Sequence, residues 1–281
     1  MSSHSILSYE FLRSSLSYFQ PLLPPLLSDQ GPLLDQGPSP WTLRTIILHS
    51  FSPSTIFTFP FATMSVIVLL LLEIMNWSIN NFGKAYTNTF PIQAMHLDVL
   101  PPLSLLYITL NKLSIPPFFL TYTLYTSRLP PTFPTKLPLL FLTYDLIYSL
   151  FHRFLHLQNV YPWIHKHHHV QKSPTRGNLD AVNVNPIEFW GGEWMHLISV
   201  IVCELILGCD VISAGLFLVL GGMLASLNHT RYDVELRMRG WKFYDNKWHD
   251  LHHRVPRRNY GQYCMVWDWG METFKEWKDL R

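Results

Sequence analysis

The chain has 281 residues, of which 48% are hydrophobic and only 14% are charged. Soluble domains carry about 25% charged residues, so this composition favours a protein embedded in a bilayer over a water-soluble domain. The formal net charge of +2 is too small to indicate nucleic acid as a partner. Three cysteines without Cys-x-x-Cys spacing predict neither a disulfide framework nor a zinc–thiolate site.

Residues 1–40 are rich in Ser, Pro and Leu and lack the pattern of a secretory signal. Their prolines argue against a long helix, because proline cannot donate a backbone hydrogen bond. We therefore predict a flexible or surface-lying tail over residues 1–40, followed by an N-terminal transmembrane region over residues 41–136.

Several apolar segments approach the roughly 20 residues that a membrane-spanning helix needs. The segments are Ile56–Ile79, Val99–Tyr125, Leu137–His156, Trp194–Gly208 and Val211–Leu227. The last two are almost contiguous and predict a helical hairpin, in which Ala214, Gly215, Gly221 and Gly222 allow close helix packing.

We expect an all-α integral membrane protein with about four effective crossings, the final hairpin counting as two. This count leaves the polar stretches 165–185 and 230–281 on one side of the membrane. Of the 21 Lys and Arg residues, 15 follow Phe151. The excess of positive charge predicts that this half faces the cytoplasm.

Eleven of the fourteen histidines follow residue 150, and most fall in three short clusters. The clusters are His152–His156, His165–His169 and His249–His253. Histidine is the commonest metal ligand, and spacings of three or four residues place imidazoles on one helical face. A single cluster is equally consistent with interfacial histidines or a solvated loop. The repetition of the pattern favours ligand sets that converge on a metal.

Residues around the clusters extend this prediction. Asp145 lies seven residues before His152 on the same predicted face, where it can accept a hydrogen bond from the outer nitrogen of a metal-bound imidazole. His229 follows the last apolar segment and can return to the site. We expect His167 to point away from it and His196 to be a structural residue.

Nine candidate ligands exceed the roughly four to six positions of one ion, so two metal ions are predicted. The candidates are His152, His156, His165, His168, His169, His229, His249, His252 and His253. Imidazole suits iron, zinc and copper. The histidines lack an accompanying set of carboxylates, which disfavours a carboxylate-bridged di-iron bundle.

With these motifs, the chain resembles the fatty acid hydroxylase and sterol desaturase superfamily of membrane non-haem di-iron enzymes. The resemblance covers about Leu137–Trp277. The matching motifs are Asp145 with His152-x-x-x-His156, Trp163-Ile-His165-Lys-x-His168-His169, Asn228-His229, His249-x-x-His252-His253, Asn259-Tyr-Gly-Gln-Tyr and Trp267-Asp268.

The resemblance implies a helical transmembrane bundle capped by a cytosolic, histidine-lined region, with a catalytic domain over residues 137–281. It also implies two iron ions, which zinc can replace, and molecular oxygen as co-substrate. The expected reaction is hydroxylation, oxidation or desaturation of a lipid, sterol or other apolar substrate in the endoplasmic reticulum membrane. Electrons are expected from an external b-type cytochrome with its reductase.

The chain departs from the family pattern at two places. Members of the family commonly carry His-Pro-x-Glu after the second histidine cluster, whereas this chain has Asn185-Pro-Ile-Glu188. Asn185 is therefore a candidate weak ligand, and Glu188 and Asp250 join Asp145 as candidates for supporting the ligands from outside. The second departure is Met271, which stands where the family usually has Thr after Gly270.

Two alternative functions remain open from the sequence. The first is a catalytically impaired relative that keeps zinc or iron as a structural clamp, and Asn185 motivates it. The second is a metal transporter with a histidine relay. Transport sites usually lie near the midplane on broken helices, whereas these histidines lie at the ends of apolar segments, which disfavours transport.

Overall fold

The computed structural model describes residues 40–92, 95–126 and 136–280, so the predicted tail lies outside the described residues except for Pro40. The first five helices are α1 Pro40–Ser50, α2 Pro53–Ile56, α3 Phe59–Tyr86, α4 Pro102–Thr126 and α5 Leu137–Leu155. They are followed by α6 Asn178–Ala181, α7 Pro186–Leu207, α8 Val211–Asn228, α9 Asn246–Arg254 and α10 Val266–Gly270. Strands β1 Glu235–Met238 and β2 Trp241–Asp245 form an antiparallel hairpin between α8 and α9.

Four of the described helices, α3, α4, α7 and α8, are long and apolar enough to cross a membrane. The predicted class, a helical multi-pass membrane protein, is therefore confirmed. The predicted third segment forms α5 but is not among these four. Its sequence includes Asp145, His152 and Arg153, which lower its hydropathy.

Helix α5 nevertheless lies within the bundle, where it packs against α7 and α8. The Lys136 ammonium, just before α5, lies 3.9 Å from the carboxylate of Asp210 in the turn between α7 and α8. At the other end of α5, His152 contacts the C-terminal region. Helix α5 thus runs from the α7–α8 turn to the end of the bundle where the histidines meet, which we call the histidine end.

The polar stretches before α7 and after α8 both lie at this histidine end. The sequence predicted that these two stretches share one side. His165 contacts Glu188 in the first turn of α7, and Asn228 at the end of α8 donates a hydrogen bond to the Gln262 carbonyl. The bundle therefore presents one polar face, built from the segments that carry the histidine clusters.

An aromatic core fills the space between α4, α5, α7 and α8. Phe118, Tyr144 and Phe217 are buried in it together with Tyr263 from the C-terminal region. The ring centroids of Tyr144 and Tyr263 are 5.3 Å apart, a distance typical of interacting aromatic pairs. The C-terminal region is thus anchored in the core of the bundle rather than resting on its end.

The small residues of α8 do not share one packing role. A Cβ atom added at Gly221 would lie 2.8 Å from the Tyr263 hydroxyl oxygen, whereas one added at Gly215 would meet no atom within 4 Å. At Gly222 the nearest atom would be a Met75 methyl carbon, 4.0 Å away. The close approach that the sequence predicted therefore occurs at Gly221, and it is with the C-terminal region.

This difference predicts opposite effects of alanine at two positions of one helix. Gly221→Ala should destabilise the fold by about 1–3 kcal/mol, because the buried Tyr263 ring must shift. Gly215→Ala should be neutral or stabilising by up to about 1 kcal/mol, because alanine favours the helix and the space is open. Thermal unfolding of both variants in the same detergent measures this. Equal midpoints would contradict the packing described for Gly221.

Candidate metal centre

The nine predicted histidines meet at the histidine end in two adjoining groups. Within each group, the potential ligand atoms all lie within 4.8 Å of one another, so that each group can hold a metal ion. Group A consists of His152, His156, His165, His169 and His252, and group B consists of His168, His229, His249 and His253. All nine except His156 are buried. The role of each residue as a ligand remains a prediction.

The sequence clusters do not map one to one onto the two groups. Neighbouring His168 and His169 lie at a short 3₁₀ turn and enter different groups. On α9, His252 enters group A, while His249 and His253, four residues apart, enter group B. These two sequence clusters therefore each supply residues to both groups.

In group A, hydrogen bonds to the outer ring nitrogens fix how the imidazoles point. The Nδ1 atoms of His152 and His252 lie 2.9 and 2.7 Å from the backbone carbonyl oxygens of Tyr260 and Arg258. A carbonyl oxygen only accepts, so each Nδ1 carries the proton. The Nε2 atom of each neutral ring is then a bare lone pair that faces the centre of the group.

Bare lone pairs at short range repel each other unless a cation lies between them. The Nε2 atoms of His152 and His165 are 2.9 Å apart, and those of His156 and His252 are 3.2 Å apart. Two nitrogens that bind one ion at about 2.1 Å, with angles between square and tetrahedral, are separated by about 3.0–3.4 Å. The spacing in group A thus fits imidazoles that share an ion.

Group B shows the same need for a cation through unpartnered nitrogens. His229 is fixed by a hydrogen bond from Nδ1 to the Ala225 carbonyl, 2.8 Å away, and its Nε2 lies 3.4 Å from that of His168. Both ring nitrogens of His249 and of His253 are buried without a hydrogen-bond partner among the described residues. Leaving such groups unpaired is costly, and a metal ion is a partner that all four rings can share.

Glu188 takes the predicted supporting position beside a ligand. Its Oε1 lies 2.8 Å from Nδ1 of His165, and both side chains are buried. A carboxylate that accepts the outer N–H of an imidazole fixes the tautomer and increases the basicity of the nitrogen that faces the metal.

Asp145 supports the site differently from the prediction. Its carboxylate accepts hydrogen bonds from the backbone amides of Gln262, Tyr263 and Cys264, and no imidazole contacts it among the described residues. The prediction of a direct bond to a ligand histidine is wrong. Asp145 instead clamps the loop whose Tyr260 carbonyl orients His152, which makes its support indirect.

Asp250 also differs from the prediction, because it binds arginines and not an imidazole. Its carboxylate pairs with Arg231 and lies 2.7 Å from Nε of Arg254. Burial raises the pKa of Asp250 to about 6, against the opposing effect of the two arginine charges. Arg231 also donates to the carbonyls of Phe90 and Pro91, so this ion pair fastens the segment after α3 to α9.

Asn185 lies in neither group. Its Oδ1 accepts a hydrogen bond of 2.9 Å from the Ile187 amide and caps α7, and its Nδ2 donates to the Trp163 carbonyl. The side-chain oxygen that would act as a weak ligand is thus already engaged at the helix start. His167 is also outside both groups, as expected, with Nε2 near Ser104 and Asn183.

Sequence reasoning missed the backbone carbonyls of Tyr260, Arg258 and Ala225, which orient three of the nine imidazoles. Every residue has a carbonyl, so no residue type marks the first two. The third had a usable signal, because Ala225 lies four residues before His229 at the end of a helix, where carbonyls lack intrahelical partners.

These contacts predict different effects for Glu188 and Asn185. Glu188→Gln should lower metal affinity about 10–100-fold, because the supporting carboxylate on His165 is lost. Asn185→Ala should cost about 1 kcal/mol of stability through loss of the helix cap and should leave the metal content unchanged. Metal titration and thermal unfolding separate the two effects. A fall in metal content of Asn185→Ala would instead make Asn185 a ligand.

The buried imidazoles also predict that acid destabilises the metal-free protein. Burial lowers the pKa of His156 to about 2 and that of His169 to about 3. It also lowers the pKa of the other histidines of the two groups that lie outside the membrane-spanning bundle helices, namely His165, His168, His229, His249, His252 and His253. In the unfolded chain histidine titrates near about 6.5, so below that pH the unfolded state binds more protons. The stability that the neutral, buried histidines contribute is therefore fully present above pH of about 6.5, and it is lost as the pH falls below that value.

Each such histidine contributes up to about 1.4 kcal/mol per pH unit in this range. Burial raises the pKa of Asp250 and Asp268, so these two groups favour the folded state as the pH falls. The histidines outnumber them, so the net effect of acid is destabilising. We expect the unfolding midpoint of chelator-treated protein to fall steadily from pH 7 to pH 5. A midpoint that is constant over this interval would contradict the neutral, buried state of the cluster.

Comparison with known proteins agrees with this site. No curated protein and no solved structure matches the chain. Residues 137–273 match the family model described as fatty acid hydroxylase, and this stretch contains all nine histidines of groups A and B. The predicted resemblance to the fatty acid hydroxylase family is therefore confirmed over residues 137–273.

Proposed function

We propose that this protein is a membrane-bound oxygenase that uses two iron ions and molecular oxygen to modify a C–H bond of a lipid, sterol or other apolar substrate. The observation that carries the proposal is the pair of histidine groups at one end of a bundle with four apolar helices. The family match over residues 137–273 supports a lipid-modifying reaction.

The residues present fit two ions of this kind. The donors are imidazoles, which suit iron and also zinc, and several of their buried nitrogens lack any other partner. Group A and group B would each hold one ion. When bound, iron supplies the redox chemistry that oxygen activation needs, while the protein supplies binding, orientation and exclusion of competing reactions.

The protein residues would act by holding the ligands neutral and fixed. The Tyr260 and Arg258 carbonyls keep the protons of His152 and His252 on the outer nitrogens. Glu188 does the same for His165 and adds negative charge near group A. Nearly complete burial of the histidines excludes water, which would compete with an apolar substrate for the site.

The balance of the reaction requires an external source of electrons. Hydroxylation places one oxygen atom in the C–H bond and reduces the other to water, which consumes two electrons and two protons. Desaturation removes two hydrogen atoms and forms two waters with the same requirement. We propose that a b-type cytochrome with its reductase supplies these electrons.

The proposed location is the endoplasmic reticulum membrane, with the histidine end in the cytosol. The distribution of charge supports this orientation, because 15 of the 21 Lys and Arg residues follow Phe151 and the polar segments after that point meet at the histidine end.

The proposal is tested with His252→Ala from group A, His253→Ala from group B, and His167→Ala as a matched control from outside both groups. The wild type and the control should each hold about two metal ions per chain, whereas each group variant should lose metal and more than about 100-fold of its activity. Elemental analysis measures the metal. Mass spectrometry of lipid extracts, with ¹⁸O₂ as the oxygen source, detects a gain of one oxygen or a loss of two hydrogens.

Wild-type protein that is folded, holds two irons and is reduced, yet consumes no oxygen with any lipid fraction, would overturn the proposal. The metal would then serve as a structural clamp, which is the alternative that the sequence left open. Wild-type protein that binds no iron, zinc or copper at all would overturn both functions.

A further inference from the structure

An exposed apolar surface lies outside the metal centre, on strand β2 of the hairpin and on α10. Its members are large apolar side chains with about half of their surface exposed. They are Trp241 (65%), Phe243 (46%), Val266 (45%) and Trp269 (49%), which also line one groove. Contiguous exposed apolar patches on folded proteins mark sites of protein or membrane contact, whereas scattered single residues do not.

A groove of about 370 Å³ divides this surface between β2 and α10. Its walls include Trp241 and Phe243 on one side and Val266 and Trp269 on the other. Trp248, 2% exposed, also lines the groove, and its indole N–H has no hydrogen-bond partner among the described residues. A buried tryptophan usually finds an acceptor for this group, and an acceptor oxygen on a ligand in the groove would satisfy it.

Lys242 lies at the rim of the groove, and neighbouring carboxylates neutralise its charge. The Lys242 ammonium lies 2.7 Å from the Asp245 carboxylate and within 4 Å of carboxylates of Glu235 and Glu276. A strongly anionic ligand therefore gains little at this rim. An uncharged or zwitterionic ligand with an apolar chain and a carbonyl oxygen fits the lining better.

Helix α10 joins this surface to the side of the bundle. Its Trp267 donates from Nε1 to the Leu142 carbonyl of α5, 2.9 Å away. On α5, Leu142, Leu146 and Leu150 are exposed at intervals of four residues. They make an apolar stripe along one face of a helix that packs against the candidate spans α7 and α8.

Helix α10 thus contacts both the stripe and the groove, which indicates that the same kind of occupant covers both. A helix stripe of exposed leucines within a membrane bundle faces acyl chains, and tryptophan is enriched where acyl chains meet headgroups. We propose that the hairpin and α10 form a lipid-binding surface, in which the groove between Trp241 and Trp269 holds an acyl chain of a phospholipid from the surrounding bilayer. An ester carbonyl of that lipid supplies the acceptor that Trp248 lacks.

The test uses the full chain in phosphatidylcholine nanodiscs, with an environment-sensitive fluorophore attached to single cysteines. The background is Cys264→Ser, because Cys264 lines the groove while Cys203 and Cys209 are buried. Phe243→Cys places the label in the groove. The matched control is Arg239→Cys, at the exposed turn of the same hairpin.

We expect the label at position 243 to lose most of its emission when the nanodiscs contain nitroxide-labelled phosphatidylcholine, and to be insensitive to aqueous iodide. The label at position 239 should be quenched by iodide and not by the lipid nitroxide. Quenching of both labels by iodide would overturn the proposal, because the groove would face water. A label at position 243 that neither quencher reaches would also overturn it, because protein would then cover the groove.

A second position keeps the test decisive if Phe243→Cys does not fold. Val266→Cys places the label on the opposite wall of the same groove and should give the same lipid quenching. The measurement needs no turnover, so its outcome is independent of whether the protein proves to be an oxygenase.

Discussion

The mutual repulsion of nine closely packed imidazoles, eight of them buried, is the constraint on which the rest of the structure depends. Nitrogen lone pairs that meet at about 3 Å, such as those of His152 and His165, cannot be relieved by water in a closed site. Their low pKa values, caused mainly by burial, exclude protonation as the usual remedy near neutral pH. A cation in each group removes the repulsion and at the same time satisfies the unpartnered nitrogens of His249 and His253.

The bundle around the histidines provides the framework that this arrangement needs. Two carboxylates hold one loop. Asp145 accepts from the amides of residues 262–264, and Asp268 accepts from those of Tyr260 and Gly261 at 2.7 and 2.8 Å. This loop supplies the carbonyl that orients His152. A loop held less firmly could not fix a ligand, because an imidazole ring turns freely about its own bonds.

Much of this site could be predicted from the sequence, because most of the candidate ligands lie close to one another along the chain. Spacings of three and four residues identified eight of the nine histidines, and His229 was identified by its position after the last apolar segment. The apolar runs located the four candidate membrane helices, although α3 ends seven residues later and α7 begins eight residues earlier than predicted. The division of α9 between two groups could not be predicted, because it depends on where the helix lies relative to α5 and α8. The same reason applies to Asp145 and Asp250, whose partners come from distant parts of the chain. Residue type indicated that these carboxylates matter but not what they bind.

The two groups differ in how many of their imidazoles the protein holds in a fixed orientation before an ion binds. In group A, the outer nitrogens of His152, His165 and His252 have fixed partners, so most of its ligands are oriented in advance. In group B only His229 has such a partner, while His249 and His253 have none among the described residues. Orientation in advance lowers the entropy lost on binding. Group B therefore depends on its ion for its order, whereas group A offers a largely preformed site.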